Sequence, residues 1–155
     1  MTSFYHEGSL DIRPADLSYS AVRDPIELYQ LLMQIYCAAT CAPRMRQNWS
    51  EENKTLGQCS VTAFLAQDIF GGEVYGIPLE DGSIHCYNAV KDAVFDLTSE
   101  QFLPEKLEYR KENPQKRSEH FRKQEKYARY LYLKDQLNAL LSQMKVAHSV
   151  ENELK

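Results

Sequence analysis

Residues 53–72, NKTLGQCSVTAFLAQDIFGG, decide how the rest of the chain is read. Val61, Phe64, Leu65 and Ile69 recur at helical spacing, and Gly71-Gly72 supplies a stop. The stretch predicts a helix over roughly 59–70, with Cys59 at its first position and Leu56-Gly57-Gln58 bringing the chain in tightly behind it. Two readings of Cys59 compete. A helix core accepts a thiol as a small apolar group. A helix N-terminus instead presents unpaired backbone N–H groups and the positive end of the dipole, which favour thiolate and make the same sulfur a nucleophile.

Upstream, Asp24-Pro25 opens a helix as N-cap and first residue. IELYQLLMQIYCAAT continues it, with Ile26, Leu31, Leu32, Ile35, Tyr36 and Ala39 as the apolar stripe, and Cys41-Ala42-Pro43 ends it. The polar segment 44–57, which carries the only Trp, has neither period and reads as a loop of the length that tends to be functional. Downstream the period changes. EVYGIPL (73–79), SIHCYNAV (83–90) and AVFDLT (93–98) read as three strands of an antiparallel meander. After a connection over 99–109, residues 114–148 read as a long helix with Phe121, Ala128, Leu131, Leu137, Leu140, Leu141 and Met144 as packing positions. The expected architecture is α+β in one domain over 1–155, with a core at 24–103 and the helix at 114–148.

A chain of 155 residues with 43% hydrophobic and 26% charged residues is a globular protein with enough length to bury a core unaided. Its net charge of -4 argues against a nucleic-acid or anionic-membrane partner. The basic run 110–130 interleaves Lys and Arg with Glu, which on a helix makes ion pairs rather than a single-sign face. MTSFYHEGSLDIRPADLSYS is polar and Tyr-rich rather than a secretory leader, so a cytoplasmic location with reduced thiols is expected. Cys37, Cys41, Cys59 and Cys86 form no CxxC pair. A zinc collected by Cys37 and Cys41 with Cys59, His85 or Cys86 is disfavoured against two structural thiols on the first helix, and no metal or cofactor is expected.

A helix that begins with Cys, then a strand with His, then a strand with Asp is the chain order of thiol hydrolases and acyltransferases with a papain-like or transglutaminase-like core. His85 is the candidate base for Cys59, and Asp96 the candidate group that fixes its tautomer. Strand parity agrees. If Lys91-Asp92 is a two-residue turn, Val90 pairs with Ala93, and His85, Tyr87, Asp96 and Thr98 share a face while Cys86, Phe95 and Leu97 take the other. His85 and Asp96 are then diagonal neighbours. The competing reading makes Asp96 a cap for SEQF.

WSEENKTLGQCSVTAFLAQDIFGGEVYG, GSIHCYNAV and FDLTSEQF together resemble the YunG-like family of small bacterial proteins over roughly residues 40–102. The resemblance implies a thiol-hydrolase-like fold and places Cys59, His85 and Asp96 at motif positions, with Trp49, Asn53, Gln58 and Asn88. Cys86 stands where the family pattern implies an aromatic residue. Asn53, six residues before Cys59, the adjacent Gln58 and the Trp49 indole N–H are candidate oxyanion or substrate donors. Arg44 and Arg46 read as solvated loop charges. The expected activity is cysteine-dependent hydrolysis or acyl/amide transfer on a peptide, protein side chain or small amide, with an oligomer left open. The alternative is a non-catalytic binding module on the same fold.

Overall fold

The computed structural model describes residues 3–154 as a mixed helix-and-sheet fold. Its elements are β1 (Tyr5–Glu7), α1 (Pro25–Ile35), α2 (Cys59–Phe70), β2 (Glu73–Pro78), β3 (Ile84–Val90), β4 (Ala93–Asp96), the short α3 (Arg117–His120) and the long α4 (Gln124–Glu153). The sheet is antiparallel throughout, in the order β1-β4-β3-β2. The expected meander is therefore extended by a fourth strand. β1 has only three residues, too few for a two-residue period to show, and it pairs Tyr5 with Asp96.

α2 lies across one face of the sheet. Val61, Phe64, Leu65 and Ile69 are fully buried against Val74, Cys86, Val90, Phe95 and Leu97 in one continuous apolar cluster. That cluster also takes in Phe4, Leu10, Ile12, Tyr19 and Val22, so the core begins well before residue 24. The opposite face carries a smaller cluster of Tyr87, Ala89 and Val94 with Tyr5, Tyr75, Ile77 and Tyr109.

α1 starts as expected, with the Asp24 carboxylate accepting the Glu27 N–H at 2.9 Å, but it ends at Ile35. Tyr36 leaves the helix because its buried ring turns inward, where its hydroxyl bonds the Thr62 hydroxyl of α2 at 2.6 Å. Tertiary burial here outweighs helix propensity. Two 3-10 turns follow, Ala38–Thr40 and Pro43–Asn48, so Cys37 and Cys41 do not share a helix face and the supposed loop is partly helical. The Arg46 guanidinium is no free loop charge: it bonds the Ala38 carbonyl at 2.7 Å and the Cys41 carbonyl at 3.1 Å.

α4 starts ten residues later than the sequence suggests and runs further, to Glu153. Tyr130, Leu133 and Leu137 are its buried apolar positions, with Leu140 and Leu141 packed against the core, while Ala128, Leu131 and Met144 are exposed. The Asp68 carboxylate fastens α4 to α2 by accepting from the Tyr130 hydroxyl and from Lys134, and it ties in α3 by accepting from Arg117. No helix among the described residues is long and apolar enough to cross a membrane.

Candidate active site

The turn that delivers Cys59 depends on Gly57. Its φ is +71°, and a Cβ there would stand 2.5 Å from the Cys41 sulfur and 3.1 Å from the Ala42 nitrogen, so only glycine lets the chain pass so closely. Gln58 is the N-cap of α2 but makes no capping hydrogen bond. Its side chain is fully buried and donates from Nε2 to the Cys37 carbonyl at 3.3 Å. The first-turn N–H groups of α2 therefore have no side-chain cap beside the Cys59 sulfur.

The Lys91-Asp92 turn sets the other half of the site. Val90 pairs with Ala93 and Asn88 with Phe95, and Lys91 takes φ of +53°. This register brings His85 Nε2 to 2.6 Å from Asp96 Oδ2, with each side chain 1% exposed. Asp96 Oδ2 also accepts the Tyr109 hydroxyl at 2.6 Å, while Oδ1 accepts the Thr98 N–H at 3.2 Å and the Thr98 hydroxyl at 3.3 Å. Asp96 thus bonds Thr98 and holds the imidazole, but it does not cap SEQF as the competing reading had it: the N-cap of that 3-10 turn is Thr98, with no side-chain cap. Phe102 meets the His85 ring edge-on at 4.6 Å, and Tyr109 is held by stacking on Tyr5 at 4.0 Å.

The partly exposed Cys59 sulfur lies 4.0 Å from the Ile84 carbonyl and against the thiol and backbone N–H of Cys86. The hydrogen bond from Cys86 is the largest influence on Cys59; burial opposes it, His85 reinforces it, and the pKa falls well below the ordinary thiol value. Cys86 moves the opposite way, pushed well up by that bond and by burial, and keeps its proton as the donor. Burial pulls His85 down, but the charge and hydrogen bond of Asp96, followed by Cys59, carry its pKa up to about 10. His85 Nδ1 is buried without a hydrogen-bond partner of ordinary geometry, although the sulfur is close enough to act on the ring. Both shifts favour a thiolate beside an imidazolium.

The remaining candidates are placed differently. Trp49 donates its indole N–H to the Lys54 carbonyl at 3.0 Å. Asn88 faces α2 and donates to the Ala63 carbonyl at 2.8 Å. Together with Gln58 these side chains brace the loop and helix, and their donors do not point to the sulfur. Asn53 is tied through its backbone to Ser50 and Leu56, and no side-chain hydrogen bond engages its amide. Arg44 forms an exposed ion pair with Asp81 at 3.4 Å.

Two residues of the site escaped sequence reasoning. Cys86 was readable from parity, since it follows His85 and faces α2. Tyr109 was not, because the aperiodic segment around it carries no signal of its fold. Two surface hollows of about 160 and 290 Å³ lie elsewhere, and Cys59 lines neither. Among the described residues no group of three or more His, Cys, Asp or Glu side chains is placed to hold a metal ion.

A family model described as YunG protein matches residues 24–142. "Uncharacterized protein YunG" of Bacillus subtilis (strain 168) is 46% identical over 54 residues, covering 35% of this chain and 46% of that protein. The chain therefore spans less than half the length of the curated relative it matches. No solved structure matches.

Proposed function

The chain belongs to the YunG protein family, and from that premise we propose that it is a cysteine-dependent hydrolase or acyl/amide transferase with a papain-like or transglutaminase-like core. The observation that carries the reading is the 2.6 Å hydrogen bond between buried His85 and Asp96 beside a helix-initial thiol whose surroundings favour thiolate. Cys59 Sγ attacks the acyl carbon, and the carbonyl π electrons move to oxygen. In this reading the first-turn N–H groups of α2, which have no side-chain cap, receive that oxyanion. As the tetrahedral species collapses, the C–N bond breaks, the amine takes the proton from His85 Nδ1, and a thioester remains. Water or a second amine then attacks the thioester, gives its proton to Nδ1 and releases Cys59. Asp96 keeps Nε2–H occupied throughout, which leaves Nδ1 as the working nitrogen.

The test is the pH dependence of iodoacetamide alkylation, mapped to each cysteine by mass spectrometry in wild type and in His85→Ala. At about pH 5.5 a thiol of pKa about 8.5 is only about 0.1% ionised, so acid pH separates an activated thiol from an ordinary one. Cys59 is expected to react at least about tenfold faster than Cys37 there, and to lose that lead in His85→Ala. The lead should shrink toward pH 8.5, because an ordinary thiol is then about half ionised and a thiolate of low pKa is the weaker nucleophile. Parallel profiles for Cys59 and Cys37 would overturn the reading and turn attention to a ligand-binding module.

A further inference from the structure

A second polar chain stands beside the thiols. Lys126, in the first turn of α4, makes no ion pair with a carboxylate among the described residues; its ammonium lies 2.9 Å from His120 Nδ1. With Nδ1 accepting from Lys126, the ring proton is on Nε2, which donates to Gln115 Oε1 at 2.8 Å. Gln115 Nε2 donates in turn to the Asn113 carbonyl at 3.0 Å.

Backbone hydrogen bonds place this chain against the strand that pairs with Cys86. The Gly76 N–H bonds the Asn113 carbonyl at 2.9 Å and the Gln115 N–H bonds the Val74 carbonyl at 2.8 Å, so residues 113–115 run along the outer edge of β2. The Gln115 side chain lies over Gly76, where a Cβ would stand 2.7 Å from its Nε2. Gly76 pairs with Cys86, whose thiol is the largest influence on Cys59. On the other flank His120 packs edge-on against Phe64 of α2 at 5.1 Å. Lys126, His120 and Gln115 are all partly exposed. Burial and the Lys126 charge hold the His120 pKa down near 4, so the imidazole is neutral and the ammonium is the charge of this cluster. That charge acts on both Cys86 and Cys59.

We propose that Lys126 is the specificity-determining cation of the Cys59 site, and that the site takes acyl substrates bearing a carboxylate close to the reacting carbonyl. This rests on Cys59 being the nucleophile. Of the nearby cations, Arg117 is committed to Asp68 and Arg129 to Glu125 and the Thr40 carbonyl, while Lys123, which also acts on His120, is exposed to solvent. A partly desolvated ammonium whose partner is a neutral imidazole is, by contrast, a favourable seat for an incoming anion.

Iodoacetate and iodoacetamide deliver the same carbon to sulfur and differ by one negative charge, so the ratio of their rates at Cys59 reads the local field. The thiolate fraction cancels in that ratio. The iodoacetamide pH profile alone reads the acidity of Cys59, so failure of the nucleophile reading and failure of the Lys126 reading appear in separate measurements. Lys126→Gln keeps an N–H donor for His120 while removing the charge, and should lower the iodoacetate-to-iodoacetamide ratio at Cys59 about threefold to tenfold. Lys126→Arg should hold the ratio within about twofold of wild type, because it retains the charge. The ratio at Cys37 serves as the internal control and should not move. Should Lys126→Gln fail to fold, the wild-type ratio at Cys59 should itself fall as salt is raised to about 1 M, where the screening length is about 3 Å. A Cys59 ratio unmoved by the substitution in a folded variant, or by salt in the wild type, would overturn the proposal.

Discussion

His85 owes its charge to Asp96, and the debt can be measured. Burial alone would drive the imidazole toward its neutral form, and the carboxylate reverses that and carries the pKa to about 10. Asp96→Asn keeps the shape of the side chain and removes the charge. His85 should then fall below its ordinary 6.5, Cys59 should lose its counter-ion, and the acid limb of the alkylation profile should move up by about one unit or more. Tyr109→Phe removes one of the hydrogen bonds to Asp96 but leaves the charge in place. Its expected signature is a loss of about 1 kcal/mol in urea unfolding with a smaller displacement of that limb. A Tyr109→Phe displacement equal to that of Asp96→Asn would show that the hydroxyl, rather than the carboxylate charge, governs His85.

The elements that build the site differ in how legible they were. α2 and the β3–β4 hairpin were readable because their signals are local: a helical stripe closed by Gly71-Gly72, and a two-residue turn whose register brings His85 and Asp96 together. The end of α1 was not readable, because its apolar stripe continues past Tyr36 and the chain leaves the helix only to meet Thr62, far along the sequence. Residues 113–115 were unreadable as a sheet edge for a related reason: Asn113-Pro114-Gln115 has no strand period, and its pairing depends on the exposed backbone of β2. The Gly57 turn belongs to the legible group in position but not in cost. Gly57→Ala combines a positive φ with contacts to the Cys41 sulfur and the Ala42 nitrogen that an added methyl cannot share. A destabilisation of about 2 kcal/mol or more is expected by urea denaturation. An unchanged transition midpoint would mean that the 42–57 segment yields more readily than its packing implies.

For the molecule as a whole, the Cys59–His85 pair sets a recognisable dependence of stability on pH. The ordinary pKa values are 9.0 for the thiol and 6.5 for the imidazole, and those describe the unfolded chain. The raised His85 contributes stability that is complete below 6.5 and is lost as pH rises through about 10. The lowered Cys59 contributes stability that is complete above 9.0 and is lost as pH falls through its folded value. With the thiol ionised and the imidazole charged, the folded pair binds one proton, as the unfolded pair does between 6.5 and 9.0, so their joint contribution is level there. Cys59→Ala leaves the imidazolium without its thiolate, and the contribution of His85 should then decline with rising pH from about 6.5 at about 1.4 kcal/mol per unit. Urea unfolding of both proteins across that interval checks it; parallel curves would mean that the two groups do not exchange a proton. The sheet also joins the front of the chain to the back of this pair. Tyr5 stands opposite Asp96, donates its N–H to the Ser99 hydroxyl at 2.8 Å and stacks on Tyr109, whereas residues 142–154 of α4 are exposed to solvent. A bulky label placed close to Tyr5 would thus press on the rear wall of the thiol site, and the exposed last turns of α4 are the place to attach a handle before assaying it.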